Sequence, residues 1–321
     1  MLAEAIRAGR IKCGLAGGSE SMSRPALSLK PAAEKWFLSL ARAKGVGARL
    51  AQLAKAKPGY FFPMPPSPKE PSTGLTMGEH CELTAKEFSI PREIQDAIAL
   101  RSHQNAAKAE HAGYLAEEIE PLGAVKRDNF VRGDTSREKL ASLTPVFDRS
   151  GQGTLTAGNS SGLTDGASIV CLMSEELARA QGREILGFIS ATEYAAIDPR
   201  AGLLMAPAVA LPRLLARTQL SVSAIDVFEI HEAFAAQVAA NMQSWSQGWA
   251  AVPEAKVIGE IPEEKWNING GSIAIGHPFA ATGGRLILSS LGELKRSGKK
   301  RAALSVCAAG AMACAMLLER E

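Results

Sequence analysis

Ile225-Asp226-Val227-Phe228-Glu229-Ile230-His231-Glu232-Ala233-Phe234-Ala235-Ala236-Gln237 decides the reading of the fold. Its first half has the apolar, β-branched and aromatic residues of a buried strand. Its second half has small, helix-forming residues. The switch predicts a strand over Ile225 to Ile230 and a helix over Ala233 to Gln243. A histidine at the end of such a strand, beside a helix N-terminus, stands where ligands bind in open α/β sheets. The helix end favours anions and depresses a nearby imidazole pKa. A His-Glu-x-x-His metal site is absent, because residue 235 is alanine.

The alternation extends outward from this unit. Upstream lie a strand pattern over Ile185 to Thr192 and a helix pattern over Pro207 to Thr218. Downstream lie a Gly-rich turn, a helix over Thr282 to Ser297, and strand candidates at 302–308 and 312–318. Strands alternating with helices predict a mostly parallel sheet covered on both faces. At the start, Leu2 to Ala8 reads as a helix tail capped by Gly9. A buried strand, Ile11 to Ala16, then runs into a Gly17-Gly18 turn. Met77 to Tyr114 reads as helical, with Ser89, Pro91 and Gln95 spaced as a capping arrangement. An Asn159-Ser160-Ser161-Gly162 turn and Asp165-Gly166 precede a predicted apolar helix.

Composition narrows the class. A chain of 321 residues can bury a substantial core, and 46% hydrophobic with 21% charged residues describes a globular protein and excludes a disordered one. Lys and Arg number 36 against 33 Asp and Glu, so the formal charge of +3 gives no support to nucleic-acid binding. Five cysteines without CxxC spacing argue for a reducing compartment and against a disulfide framework or zinc ribbon. No metal and no cofactor is implied. The opening MLAEAIRAGR lacks the apolar core of a signal peptide. The expected location is the cytoplasm, as in bacteria, or an organelle matrix reached by a targeting segment outside this chain.

Residues 27–66 stand apart. Lys30, Lys35, Arg42, Lys44, Arg49, Lys55 and Lys57 face a single acid, Glu34, while Trp36, Phe37, Leu40, Leu50, Leu53, Tyr60, Phe61 and Phe62 supply an apolar side. A basic amphipathic hairpin of this kind suits an anionic membrane surface or a docking partner; it also suits packing on its own domain. Pro63, Pro65, Pro66, Pro68 and Pro71 predict an extended linker after it.

Two further runs carry chemistry. In Asn267-Ile268-Asn269-Gly270-Gly271-Ser272-Ile273-Ala274-Ile275-Gly276-His277-Pro278, glycines and a proline bracket His277. Glycine allows close backbone approach to a ligand, and a histidine on such a frame is a candidate acid, base or oxyanion donor. In Ser305-Val306-Cys307-Ala308-Ala309-Gly310-Ala311, a strand delivers Cys307 into tiny residues that leave backbone N–H groups uncovered, as an oxyanion hole requires.

Taken in order, Ala16-Gly17-Gly18-Ser19-Glu20-Ser21-Met22-Ser23, His231-Glu232-Ala233-Phe234-Ala235, Gly270-Gly271…Gly276-His277-Pro278 and Cys307-Ala308-Ala309-Gly310 resemble the signatures of the thiolase family over essentially the whole chain. The likeness is nearest to the β-subunit type, the 3-ketoacyl-CoA thiolase of the fatty-acid β-oxidation complex, because His rather than Asn opens the second run and a basic insertion fills 27–66. The resemblance implies an α/β thiolase fold, two similar βαβαβαββ halves layered α-β-α-β-α, here with the N-terminal half truncated, plus a loop domain. It divides the chain into an N-terminal-domain remnant (1–25), a loop domain (26–182), a strand returning to the N-terminal domain (183–206) and a C-terminal domain (207–321).

The resemblance also implies roles. Thiolases cleave 3-ketoacyl-CoA with CoA, or run the reverse condensation, through an acyl-cysteine. His277 would activate the nucleophile, Cys307 would move protons at the acetyl carbon, and His231 would hold a water or oxygen. Backbone N–H near Ala309 and Gly310 would form an oxyanion hole, with Gly276 and Asn269 on the substrate side. CoA and acyl-CoA are the implied substrates, and a homodimer or tetramer the implied assembly. An α subunit with hydratase/dehydrogenase activity is a further implied partner, and 27–66 offers a peripheral membrane contact.

The departure is the nucleophile. The family places it on the helix before the first run, and Met1 to Ala8 holds no cysteine. Cys13 falls at an apolar strand position and is expected to be core. The chain is therefore expected to lack the start of a thiolase and to show little thiolysis. Ala280, Ala311 and Ala313 also replace family glycines. Two rival readings are a non-catalytic acyl-CoA-binding or assembly protein and a decarboxylating ketoacyl synthase; Cys307 stands where synthases use His or Asn.

Overall fold

A computed structural model describes residues 1–64 and 69–321. The Pro65, Pro66 and Pro68 part of the expected linker lies outside the described residues. Along the chain, α1 (Leu2–Arg7) precedes β1 (Cys13–Glu20), then α2 (Pro31–Arg42) and α3 (Val46–Leu53). Next come α4 (Met77–Glu87), α5 (Arg92–His111), α6 (Arg137–Ala141), β2 (Gly166–Met173) and α7 (Glu175–Ala180). The last part holds β3 (Phe188–Ala196), α8 (Pro199–Gly202), α9 (Pro207–Thr218), β4 (Val227–Ile230), α10 (Ala235–Gln247), α11 (Ser272–Ile275), α12 (Phe279–Ser297), β5 (Arg301–Ala308) and β6 (Met312–Glu319). The chain divides into two compact units, Met1–Glu20 with Lys69–Glu321, and Ser21–Pro68.

The larger unit holds a four-stranded sheet ordered β3-β6-β5-β4 and a two-stranded ribbon of β1 and β2. Only β4 and β5 run parallel; β3 with β6 and β5 with β6 are antiparallel. The mostly parallel sheet read from the alternation is therefore corrected to a mixed one. The reason is local: residues 309–311 are too few for a crossover, and Gly310 and Ala311, at φ 75° and 53°, reverse the chain directly. Side chains alternate across the sheet. Ala303, Ala313, Ala315 and Leu317 join α9 in one apolar core. Val227, Ala302, Leu304 and Leu318 join Leu286, Leu291 and Leu294 of α12 in another. Helix α12 also packs against β1 and β2, so it lies between the sheet and the ribbon.

The ribbon corrects three expectations. Gly17 and Gly18 lie inside β1, not at a turn. A Cβ on Gly17 would stand 2.2 Å from the Ser168 carbonyl oxygen, and one on Gly18 2.4 Å from that of Ala280. These glycines admit close backbone approach. Gly166 to Met173 is strand, not helix, because it pairs residue for residue with β1. Cys13 is exposed, not core, because β1 buries alternate residues only in part and Cys13 lies in the outward set. The capping box also moves: Thr76 and Glu79 form it at α4, while Gln95 donates to the Ile90 carbonyl and Thr154 Oγ1.

The smaller unit is a helical hairpin around Trp36. The indole N–H donates to the Gln52 carbonyl at 2.8 Å. The ring stacks near Phe37, Tyr60 and Phe61, with centroids 4.7, 5.7 and 5.8 Å away. An antiparallel bridge between Ser28 and Met64 closes it. Arg24 and the seven basic residues of 27–66 are exposed, as are Leu38, Val46, Leu50, Leu53, Phe61 and Phe62.

Candidate active site

The ends of β4 and β5 set the site. The His231 N–H donates to the Ser305 carbonyl at 2.9 Å, which places His231 against β5 two residues before Cys307. Asn267 fixes the strand end from the other side. Its Oδ1 accepts the Ile230 N–H at 2.7 Å, and its Nδ2 donates to the Ile230 carbonyl at 2.8 Å and to Glu232 Oε1 at 2.6 Å. Asn267 adopts φ 46°, a left-handed conformation that asparagine tolerates.

Glu232 is fully buried and anchors three elements. Its carboxylate accepts from Ser102 Oγ of α5 at 2.6 Å and from the Ile273 N–H of α11 at 3.3 Å. Burial raises its pKa, and the hydrogen bonds from Ser102, Asn267 and Ile273 oppose that rise. Gly271 faces this carboxylate: a Cβ there would lie 2.2 Å from Glu232 Cδ. The glycine thus makes room for a protein carboxylate.

Two imidazoles meet next to this anchor. The rings of His231 and His277 have centroids 4.2 Å apart, tilted by 50°. His231 is fully buried; its Nδ1 is 2.9 Å from Ser272 Oγ, and its Nε2 has no hydrogen-bond partner among the described residues. Desolvation first, then the fields of His277 and Arg285, push its pKa well below the usual value. His277 is partly buried, with Nδ1 2.7 Å from Thr282 Oγ1 of α12 and its ring 4.8 Å from Phe279. Desolvation and Arg285 lower its pKa to about 4. Both rings are therefore neutral at physiological pH, able to accept or donate but carrying no charge.

The loop before His277 is tightly tied. Gly276 sits at φ 108°, and a Cβ on it would lie 2.7 Å from Thr164. The His277 N–H donates to the Gly162 carbonyl at 2.9 Å. The Asn269 side-chain amide donates to Glu293 of α12 at 3.0 Å. Cys307 is buried in the α9-side core near the end of β5, where desolvation pushes its thiol up to about 12. It is protonated at neutral pH and is a proton donor rather than a ready nucleophile. Ala309 and Gly310 are exposed in the following turn.

Sequence reasoning missed several members of this region. Ser272 and Arg285 are bonded to each other and, through Ser272, to His231. Cys81 of α4 is a second buried thiol in the core of Cys307. Burial raises its pKa, and the field of Cys307 adds to the rise. Glu229 is fully buried with neither oxygen partnered, and desolvation raises its pKa to about 8. Only its position on the quoted strand, a carboxylate in an apolar run, signalled it.

Comparison with known proteins identifies the family of the chain. The thiolase N-terminal domain matches residues 1–176 and the thiolase C-terminal domain matches residues 183–320. A 3-ketoacyl-CoA thiolase of Pseudoalteromonas translucida (strain TAC 125) is 42% identical over 99% of this chain and 75% of its own length. The 3-ketoacyl-CoA thiolase of Shewanella sediminis (strain HAW-EB3) is 41% identical, over 100% and 75%. The crystal structure of the Bacillus anthracis acetyl-CoA acetyltransferase superposes with a TM-score of 0.78 at 32% identity, covering 98% of this chain and 73% of that one.

Proposed function

This chain belongs to the thiolase family, and we propose that it binds 3-ketoacyl-CoA and CoA and serves thiolytic acyl transfer in fatty-acid β-oxidation. The observation that carries the reading is the pair of neutral imidazoles at 4.2 Å, set where β4 and β5 end and Cys307 arrives. In thiolysis the bond between C2 and C3 breaks. The acyl group passes to a cysteine thiolate, the acetyl-CoA carbanion takes a proton, and the CoA thiol then releases the acyl group. Negative charge develops on thioester oxygens, so neutral donors in a dry site are effective there.

In this proposal a neutral His277 accepts the thiol proton, and a protonated Cys307 supplies the proton to the acetyl carbon. His231 and the backbone near Ala309 and Gly310 face the oxygens, with Gly276 and Asn269 shaping the loop that carries His277. The thiolase resemblance puts the acyl-accepting cysteine on the helix before the Ala16 run, and Met1 to Ala8 holds none. The 321-residue polypeptide assayed alone is expected to bind acyl-CoA and turn over 3-ketoacyl-CoA slowly. Calorimetric titration with acyl-CoA and a thiolysis assay test this. Binding with residual turnover that falls in His277→Ala supports it. No binding overturns the acyl-CoA reading, and full turnover overturns the need for a further cysteine.

We further propose that the hairpin 21–64 rests on an anionic lipid surface. Eight exposed basic residues, Arg24 among them, interleave with exposed Leu38, Leu50, Phe61 and Phe62, which is the charge and apolar pairing that such a surface attracts. Sedimentation with phosphatidylglycerol vesicles is expected to carry the protein down, and with phosphatidylcholine vesicles to leave it in solution. Equal behaviour with both would contradict a charged-lipid partner.

A further inference from the structure

We propose that Ser272 and Arg285 are positioning residues that lock His231 in its Nε2–H tautomer, so that its buried outer nitrogen is a hydrogen-bond donor to a substrate oxygen. Ser272 opens α11 and is fully buried. Its hydroxyl oxygen is 3.0 Å from Arg285 Nη2 and 2.9 Å from His231 Nδ1. A guanidinium is permanently charged and only donates, so Arg285 occupies one lone pair of the hydroxyl oxygen.

The hydroxyl proton then has one destination among the described hydrogen bonds, His231 Nδ1. In the opposite arrangement Nδ1–H would donate to Ser272, leaving the hydroxyl proton with no acceptor. An unmet polar group in a fully buried place costs free energy, so that arrangement is disfavoured. With Nδ1 accepting, a neutral ring carries its proton on Nε2. That nitrogen is buried and has no partner among the described residues. It is a donor made ready and left open, as a polarised thioester oxygen requires.

Arg285 does more than fill a lone pair. Its Nε and Nη1 are buried and have no partner among the described residues, and its positive field acts on both imidazoles. The charge that bears on His231 at neutral pH is that of Arg285, and a protonated His277 would add to it; both oppose a second proton on the ring. The same guanidinium also acts on buried Glu229 and on half-buried Glu118 and Asp128, lowering pKa values that burial raises. A family-typical role for His231 as an oxygen contact does not specify which nitrogen carries the proton. The Ser272–Arg285 pair does, and it uses residues outside the expected site.

The assignment rests on the proposed acyl-CoA site for its purpose, but its test needs no substrate. Protein labelled with 15N-histidine, read by long-range proton–nitrogen correlation at neutral pH, reports each ring's tautomer. His231→Gln identifies the His231 signals. The wild-type ring is expected in the Nε2–H form. Ser272→Ala is expected to release it into a mixture, and Ser272→Thr, which keeps the hydroxyl, to restore it. Acyl-CoA affinity is expected to fall about tenfold in Ser272→Ala and to recover in Ser272→Thr. A wild-type ring protonated on Nδ1, or doubly protonated, overturns the inference, and that reading holds even if Ser272→Ala fails to fold. An unchanged tautomer in a folded Ser272→Ala also overturns it. Correct tautomers without acyl-CoA binding would sink the substrate reading and leave the lock standing.

Discussion

The region around His231 and the hairpin 21–64 make opposite use of polar groups. At the site, Glu232, Asn267, Ser272 and the His231 ring are buried, and each is held by named partners a few ångströms away. In the hairpin, eight positive charges stand in water beside exposed leucines and phenylalanines, and Trp36 and Ala33 are its buried side chains among the described residues. Burial strips the imidazoles of charge and fixes their hydrogen bonds; exposure leaves the lysines charged and their geometry loose. The first arrangement suits chemistry on a small ligand. The second suits attraction to an extended surface, because screened charges act through their number.

The comparison breaks first at Asn267. Asn267→Ala strands the Ile230 amide and carbonyl and one oxygen of Glu232, and is expected to cost about 3–5 kcal/mol in urea unfolding. A loss under about 1 kcal/mol would mean that the buried network is not what holds β4 to the His277 loop. The pH dependence comes next. His277 and His103 both have folded values of about 4, below the ordinary 6.5. The unfolded chain therefore binds more protons between these values, so their contribution is complete above pH 6.5 and is lost as pH falls toward 4. Each ring contributes a few kcal/mol at most on this scale. His103 Nδ1 accepts the Arg132 N–H, which glutamine can also accept. His103→Gln is thus expected to flatten the stability curve in that window while leaving neutral-pH stability near wild type.

The hairpin gives the contrasting result. Reversing Lys35, Arg42 and Arg49 to Glu is expected to weaken anionic-vesicle binding about a hundredfold, taking roughly 1 kcal/mol per basic residue. Urea stability should move by less than about 0.5 kcal/mol. A large stability loss instead would show that these charges are structural, as at the site. The smallest effect is at Ala311, a non-glycine residue held at φ 53° between β5 and β6. Ala311→Gly is expected to gain about 1 kcal/mol by relieving the left-handed strain, read as a higher melting temperature.

Much of this was legible in the sequence, for physical reasons. The 3.6 period of α9 and α12 and the apolar runs of β4, β5 and β6 survive in any context, and their positions read correctly. The same local pattern misread Gly17-Gly18 and residues 166–173. Only the tertiary neighbours, the Ser168 and Ala280 carbonyls and the β1 edge, distinguish a close approach from a turn and a strand from a helix. His231, His277 and Cys307 were visible as chemistry beside unusual backbone. Ser272 and Arg285 were not, because a serine and an arginine at helix positions acquire meaning only when folding brings them to one nitrogen. The polarity of the sheet was misread for a similar reason: the tight 309–311 turn outweighs the alternation around it.

If His231 and His277 jointly face an activated acyl thioester, titrating 3-ketoacyl-CoA into 15N-histidine-labelled protein moves both rings. The expected result is a saturable shift of the His231 and His277 ring nitrogens together, with His111 and His80 unmoved. Saturation that leaves both rings unchanged, or shifts confined to the other histidines, would contradict it.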